Sequence, residues 1–261
     1  MFFRFIKYMV YIIFSRHGKG HGIHSPFLFD LVSRVMRNKT DRDIVFKIES
    51  IRKKNLSDDR VKSIQDLGAG SSKMNNNLRR VSDIIKYSAV PAKYGRLLFN
   101  MASEYGKPDI LELGTSLGIS TLYLAAACPD SMVYTVEGCS ATAGIATENL
   151  KSFGTGNITL IQESFDTAIS DLITKHVKPG LVFIDGHHRK EPTLRYFELI
   201  AGHCDKGTVI IIDDIHSSGE MEEAWSMIKR YKEVTVTIDI FRMGLVFFRE
   251  GMSSYDYVIR Y

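Results

Sequence analysis

Beyond residue 109 the apolar positions fall into short runs separated by longer stretches with a helical period. Residues 109–113, 132–136, 158–161, 181–184 and 208–212 are apolar runs of strand length. Between them, 119–127, 141–152, 166–175, 191–203 and 219–231 repeat their apolar residues at helical spacing. Strands that alternate with helices imply right-handed crossovers and a parallel sheet covered on both faces. Two further strands, 234–240 and 244–248, are separated by only three residues. Three residues cannot hold a crossover helix, so this pair is expected to be antiparallel.

The first hundred residues read differently. MFFRFIKYMVYIIF (1–14) is strongly apolar, but a membrane-crossing helix needs about 20 such residues, and Arg4 and Lys7 interrupt this one. No small-residue cleavage site follows. Arg4, Lys7, Tyr8, Tyr11 and Ser15 form one polar stripe at helical spacing, and the rest is a wide apolar face. That face is expected to pack on the domain or a partner subunit, a homodimer included, or else to make peripheral contact with a membrane surface through residues 1–16. After Gly18–His24, Ser25 is placed to cap a helix with Pro26 at its first position. Residues 38–60 are charged, helical or loop.

Composition leaves room for one large α/β domain with an extension: 261 residues, 44% apolar and 25% charged. The expected boundary separates a mainly helical part, 1–87, from a ligand-binding domain, 88–261. Cys128, Cys139 and Cys204 are odd in number and lack metal spacing, which suggests buried thiols in a reducing, cytoplasmic setting. The net charge of +4 is unevenly spread: residues 1–100 hold 20 Lys and Arg against 8 Asp and Glu, a net of +12, and the remainder carries −8. The basic half could meet an anionic small molecule, a membrane or nucleic acid, or be neutralised by the other half. Nucleic acid is not expected, because no recognised motif is present and few aromatics interleave the basic residues of 50–90.

In a doubly wound sheet, ligands bind beyond the carboxyl ends of the strands, where strand order reverses. The candidate chemistry collects there. The first of these strands runs into Glu112-Leu-Gly114-Thr115-Ser116-Leu-Gly118, followed by Ser120. Glycines let the backbone approach a ligand, and the helix start supplies N–H donors. Glu137 ends the second strand, before Gly138, where an acid can accept from both hydroxyls of a ribose. A nicotinamide dehydrogenase would use the same acid, but would favour Gly-x-Gly-x-x-Gly and a pyrophosphate at the helix start. An acid two positions before the first glycine suits a cationic ligand, such as the ammonium and sulfonium of S-adenosylmethionine. A second glycine segment, Asp66-Leu-Gly68-Ala-Gly70-Ser71, lacks a following strand that ends in an acid and reads as a surface turn or a cap near the site.

Over roughly residues 88–249 the sequence resembles the class I S-adenosylmethionine-dependent methyltransferases, in particular the small-molecule O-methyltransferases of the catechol and caffeoyl-CoA type. Val90-Pro-Ala-Lys-Tyr94-Gly95 resembles their lead-in segment, ILELGTSLGIS (110–120) their first cofactor motif and Glu137 their ribose acid. Gln162-Glu163-Ser164 falls where they contact adenine; Phe183-Ile-Asp185-Gly and Ile212-Asp213-Asp214 look like their fourth- and fifth-strand motifs. The resemblance implies a Rossmann-like, seven-stranded, mostly parallel sheet, with Val90 and His187 beside the cofactor and Asp185 shared between cofactor and acceptor. It also implies methyl transfer to a hydroxyl of a small molecule. Metal-dependent members hold Mg²⁺ through the acids ending strands four and five, which maps to Asp185, Asp213 and Asp214. Here Asp214 stands where those members carry Asn, so Mn²⁺ or Ca²⁺ becomes an option, as does a site that uses no metal. A site without metal would fit transfer to nitrogen or carbon instead, and the remaining alternative is a membrane- or nucleic-acid-associated binding protein with a vestigial cofactor fold. His188, three residues past Asp185, and His216, two past Asp214, are the candidate bases; His216 could otherwise bind a metal. Met221 and Trp225 read as core.

Overall fold

The computed structural model describes residues 2–15, 25–65, 77–249, 251 and 254–261. Helix α1 (Phe2–Phe14) is followed by α2 (Pro26–Asp30), which runs on into a π-helical turn at Leu31–Val35, and by α3 (Arg42–Leu56). Ser25 caps α2, its hydroxyl accepting from Leu28 N, with Pro26 at the first position. A two-stranded antiparallel ribbon, β1 (Val61–Ser63) with β2 (Leu78–Arg80), leads into α4 (Val81–Ser88) and α5 (Ala92–Tyr105). The glycine segment 66–71 lies outside the described residues.

The alternating part follows the apolar pattern closely. It comprises β3 (Asp109–Leu113), α6 (Ile119–Ala127), β4 (Met132–Val136), α7 (Ser140–Phe153), β5 (Ile158–Ile161), α8 (Phe165–Thr174), β6 (Pro179–Ile184), α9 (Lys190–Ala201), β7 (Val209–Asp213) and α10 (Gly219–Ile228). The chain then forms β8 (Val236–Asp239), β9 (Met243–Phe247) and β10 (Tyr255–Val258). The strand order is β10-β8-β9-β7-β6-β3-β4-β5. β3 to β7 run parallel, and β9 is antiparallel to both β7 and β8, as expected of a short hairpin. The sheet has eight strands rather than seven, because β10 adds in parallel to β8. Its sequence, YDYV, is too polar and short to be read as a strand; backbone pairing with an open edge makes it one.

Period-two alternation divides the sheet residues between two cores. Leu181, Phe183, Val209, Ile211 and Leu245 face α5, α6, α7 and the amino-terminal helices, so residues 28–64 share the core of the sheet. Val182, Ile184, Ile210, Ile212 and Val246 face α8, α9 and α10, where Met221 and Trp225 are buried as their spacing suggested. Each such buried side chain contributes about 1.5–3 kcal/mol.

Helix α1 does not turn its apolar face to the domain, one of the three expected placements. Its polar stripe faces inward: Tyr11 Oη donates to Ile259 O at 2.7 Å, Lys7 pairs with Glu222 at 2.7 Å, and Arg260 reaches Ser15 Oγ at 3.3 Å. Tyr8 and Tyr11 also pack on Phe241. Ile6, Met9, Val10, Ile13 and Phe14 face outward, Ile13 at 69% exposure. Hydrogen bonds to the carboxyl-terminal strand outweighed the apolar face, which no local pattern could foretell. Among the described residues no helix is long and apolar enough to cross a membrane.

Candidate active site

Strand order reverses at β3, so the carboxyl ends of β3 and β6 form the switch point where ligands bind. A small cleft opens there, lined by Ser88, Ala89, Val90, Gly114, Thr115, Ser116, Leu117, Ile119, Ser120 and Asp185. Gly114 is required: its φ is +108°, and a Cβ would lie 2.1 Å from Asp185 O. The turn is then drawn against β4, with Gly114 N and Thr115 N both donating to Val136 O. Ser116 takes a left-handed conformation, φ +47°, rare for a residue with a Cβ. That twist aims its N–H at Glu137 Oε2, 2.8 Å away, while Glu137 Oε1 accepts from Cys139 N at 2.9 Å. The β3 turn and Glu137 therefore meet, with Gly138 in the same loop.

Glu112 lies beneath this turn rather than in it. It is fully buried, and one oxygen accepts from the Thr121 and Thr135 hydroxyls. Its other oxygen, Oε1, has no partner among the described residues. Burial pushes its carboxyl up to about 7 against the hydrogen bonds that favour the anion. An orphaned buried carboxylate oxygen under a backbone turn that admits only glycine fits a small cationic nucleoside with a ribose. Gly118 caps α6 behind the cleft at φ +85°, against Leu150. Ser164 caps α8, accepting from Thr167 N, and Glu163 is exposed beside it; neither lines the cleft.

The ends of β6 and β7 hold the other half of the site. Of the two adjacent histidines only His188 turns to Asp185, Nε2 to Oδ1 at 3.4 Å. His187 packs its ring on Phe165 and Tyr196, and burial, helped by Arg195, holds its pKa below the ordinary value. Burial and the neighbouring Asp213 push the Asp185 carboxyl well above the usual range. Among the described residues, five of the six non-glycine residues with positive φ stand at this rim: Ser116, His187, His188, Asp214 and Phe241. Strain concentrated at one edge of a fold points to a working site.

Two expectations change here. His216 has both ring nitrogens engaged: Nδ1 is 3.0 Å from Glu222 Oε1 and Nε2 is 2.7 Å from Asp239 Oδ2, with the ring stacked on Phe241. Burial disfavours the imidazolium, but the two carboxylates outweigh it and raise the pKa. With both nitrogens engaged, His216 ties the loop after β7 to α10 and β8. The carboxylates named for a metal, Asp185, Asp213 and Asp214, do approach one another. However, both oxygens of Asp213 are held by one guanidinium, Arg242 Nε at 2.9 Å and Nη2 at 2.6 Å. Among the described residues no group of three or more His, Cys, Asp or Glu side chains is arranged to hold a metal. As they stand, these residues do not fit a divalent cation. Arg242 escaped the sequence reading; the available signal was a lone arginine in the hairpin turn that returns beside the strand ending in Asp213.

Residues 111–215 match a family described as a methyltransferase domain. A catechol O-methyltransferase of Mycobacterium tuberculosis is 32% identical over 133 residues, covering 50% of this chain and 59% of that protein. A transmembrane O-methyltransferase homolog of Rattus norvegicus is 31% identical over 126 residues, 46% of this chain and 49% of that one. The chain thus spans about half of these curated relatives' length. The O-methyltransferase TomG from Streptomyces achromogenes, solved in complex with S-adenosylmethionine, has a TM-score of 0.58 at 18% identity, over 82% of this chain and 92% of that one. The fold is shared with that solved O-methyltransferase. The likeness of the sequence to the O-methyltransferases, the catechol type included, is borne out.

Proposed function

We propose that the chain is an S-adenosylmethionine-dependent methyltransferase acting on a hydroxyl of a small molecule. The observation that carries this reading is the meeting of the glycine turn after β3 with Glu137, Ser116 N to Glu137 Oε2 at 2.8 Å, above the buried carboxyl of Glu112. S-adenosylmethionine, when bound, supplies an activated methyl on a sulfonium. The chain then has two tasks, alignment and removal of the acceptor's proton. Glu137 takes the ribose hydroxyls; Gly114, Thr115, Ser116 and Ser120 line the methionine end with Val90. Asp185 orients His188, whose ring accepts the proton. No step is assigned to a divalent ion.

Residues 1–87 serve as the acceptor-side part of the enzyme and 88–261 as its cofactor domain. The outward apolar face of α1 favours peripheral contact with a membrane surface, next to an amino-terminal region of net +12. Sedimentation with anionic vesicles that is lost when residues 1–16 are removed supports that contact; a concentration-dependent dimer without vesicle binding replaces it with a second copy of the chain.

Methyl transfer is tested with radiolabelled cofactor and a panel of small hydroxylated, amino and carbon acceptors. Label entering hydroxyls is the expected result. Label entering only nitrogen or carbon would move the chain to another acceptor class.

A further inference from the structure

Asp213 ends β7 with its side chain fully buried, and the cation that compensates it belongs to the chain itself. The Arg242 guanidinium forks onto both carboxylate oxygens and is only 19% exposed. Its backbone is pinned by the hairpin turn: Ile215 N donates to Arg242 O, and Phe241 N donates to Asp239 Oδ1 at 2.7 Å. Phe241 is itself held at φ +70°. The ring of Tyr94 lies 5.7 Å from the guanidinium carbon. Asp214 and Asp185 are also within electrostatic reach of Arg242. Three carboxylates at the rim of the cleft therefore share one fixed positive charge.

A divalent ion needs carboxylate oxygens free to coordinate and a seat clear of other cations. Arg242 removes both conditions at Asp213. A guanidinium keeps its charge at every working pH and its fork fits a carboxylate, so it does not leave as a hydrated ion would.

We propose that Arg242 is the resident cation of the acceptor site: it closes the seat at the end of β7 to divalent metal and sets a permanent positive charge beside the acceptor's oxygen. The closed seat stands on the geometry alone; the effect on the acceptor rests on the methyl-transfer reading.

The test is a titration of the purified full chain with Mn²⁺, followed by electron paramagnetic resonance. The wild type is expected to bind no stoichiometric Mn²⁺ up to about 1 mM. Arg242→Ala, which frees both oxygens of Asp213, is expected to gain one site at least about tenfold tighter. Arg242→Lys, which keeps the charge, is expected to gain none. A wild-type chain that binds one Mn²⁺ and loses it in Asp213→Asn overturns the proposal. A wild-type site that Asp213→Asn leaves untouched lies elsewhere and leaves Arg242 in its seat. Should Arg242→Ala not fold, the wild type, Arg242→Lys and Asp213→Asn still decide. S-adenosylhomocysteine binding is measured on the same samples: its absence removes the methyl-transfer reading without altering the metal result.

Discussion

Around the turn after β3, backbone N–H groups draw the chain together: Gly114 N and Thr115 N donate to Val136 O, and Ser116 N and Cys139 N to the Glu137 carboxylate. Around the ends of β6 and β7, side chains pair with one another, Arg242 with Asp213, His216 with Asp239 and Glu222, and His188 with Asp185. The first half leaves its buried acid only partly satisfied. The second half closes its charges on one another. A backbone cradle gives a fixed shape for an invariable cofactor. A ring of paired side chains can be exchanged one member at a time, which suits the part of a site that meets a variable acceptor.

The comparison is broken most forcefully at Arg242. Arg242→Ala leaves a buried carboxylate without its partner and is expected to cost about 3–5 kcal/mol of stability in chemical denaturation. A loss within about 0.5 kcal/mol would mean that the pair is not closed as described. On the cofactor side, Glu112 gives a pH signature. Its folded pKa, about 7, lies above its ordinary 4.5, so the folded state binds the proton more tightly. Its contribution is present below pH 4.5 and is lost as pH rises to about 7, about 3 kcal/mol in all. Glu112→Gln should flatten that slope in denaturation curves taken across this range. A smaller effect of the same sign belongs to His216. Its pKa is raised above 6.5, so its two carboxylate contacts stabilise below that value and fade as pH climbs past it. The melting temperature is expected to fall across that rise, and His216→Asn should remove the trend.

The same contrast explains what could be read from the sequence. The bounds of β3, α6, β4 and β5 coincide with their apolar runs, because sheet strands buried on both faces need continuous apolar residues. Glu137 and the glycine turn were legible for a similar reason: strand, turn and helix follow one another locally. Arg242 was not, since its partner lies 29 residues away and only the β7–β9 register brings them together. The partners of His216 were hidden on the same ground, as Asp239 and Glu222 belong to other elements. The docking face of α1 depended on Ile259 O, at the far end of the chain. Local pattern carries elements and backbone sites; charge pairing across the fold has to be seen in three dimensions.

Calorimetry with S-adenosylhomocysteine, comparing the wild type with Glu137→Ala, probes the cradle between the β3 turn and Glu137 most directly. One molecule bound per wild-type chain, at least about tenfold weaker in the variant, is the expected result. A wild-type chain that gives no heat and no rise in melting temperature at about 1 mM of that nucleoside would contradict it.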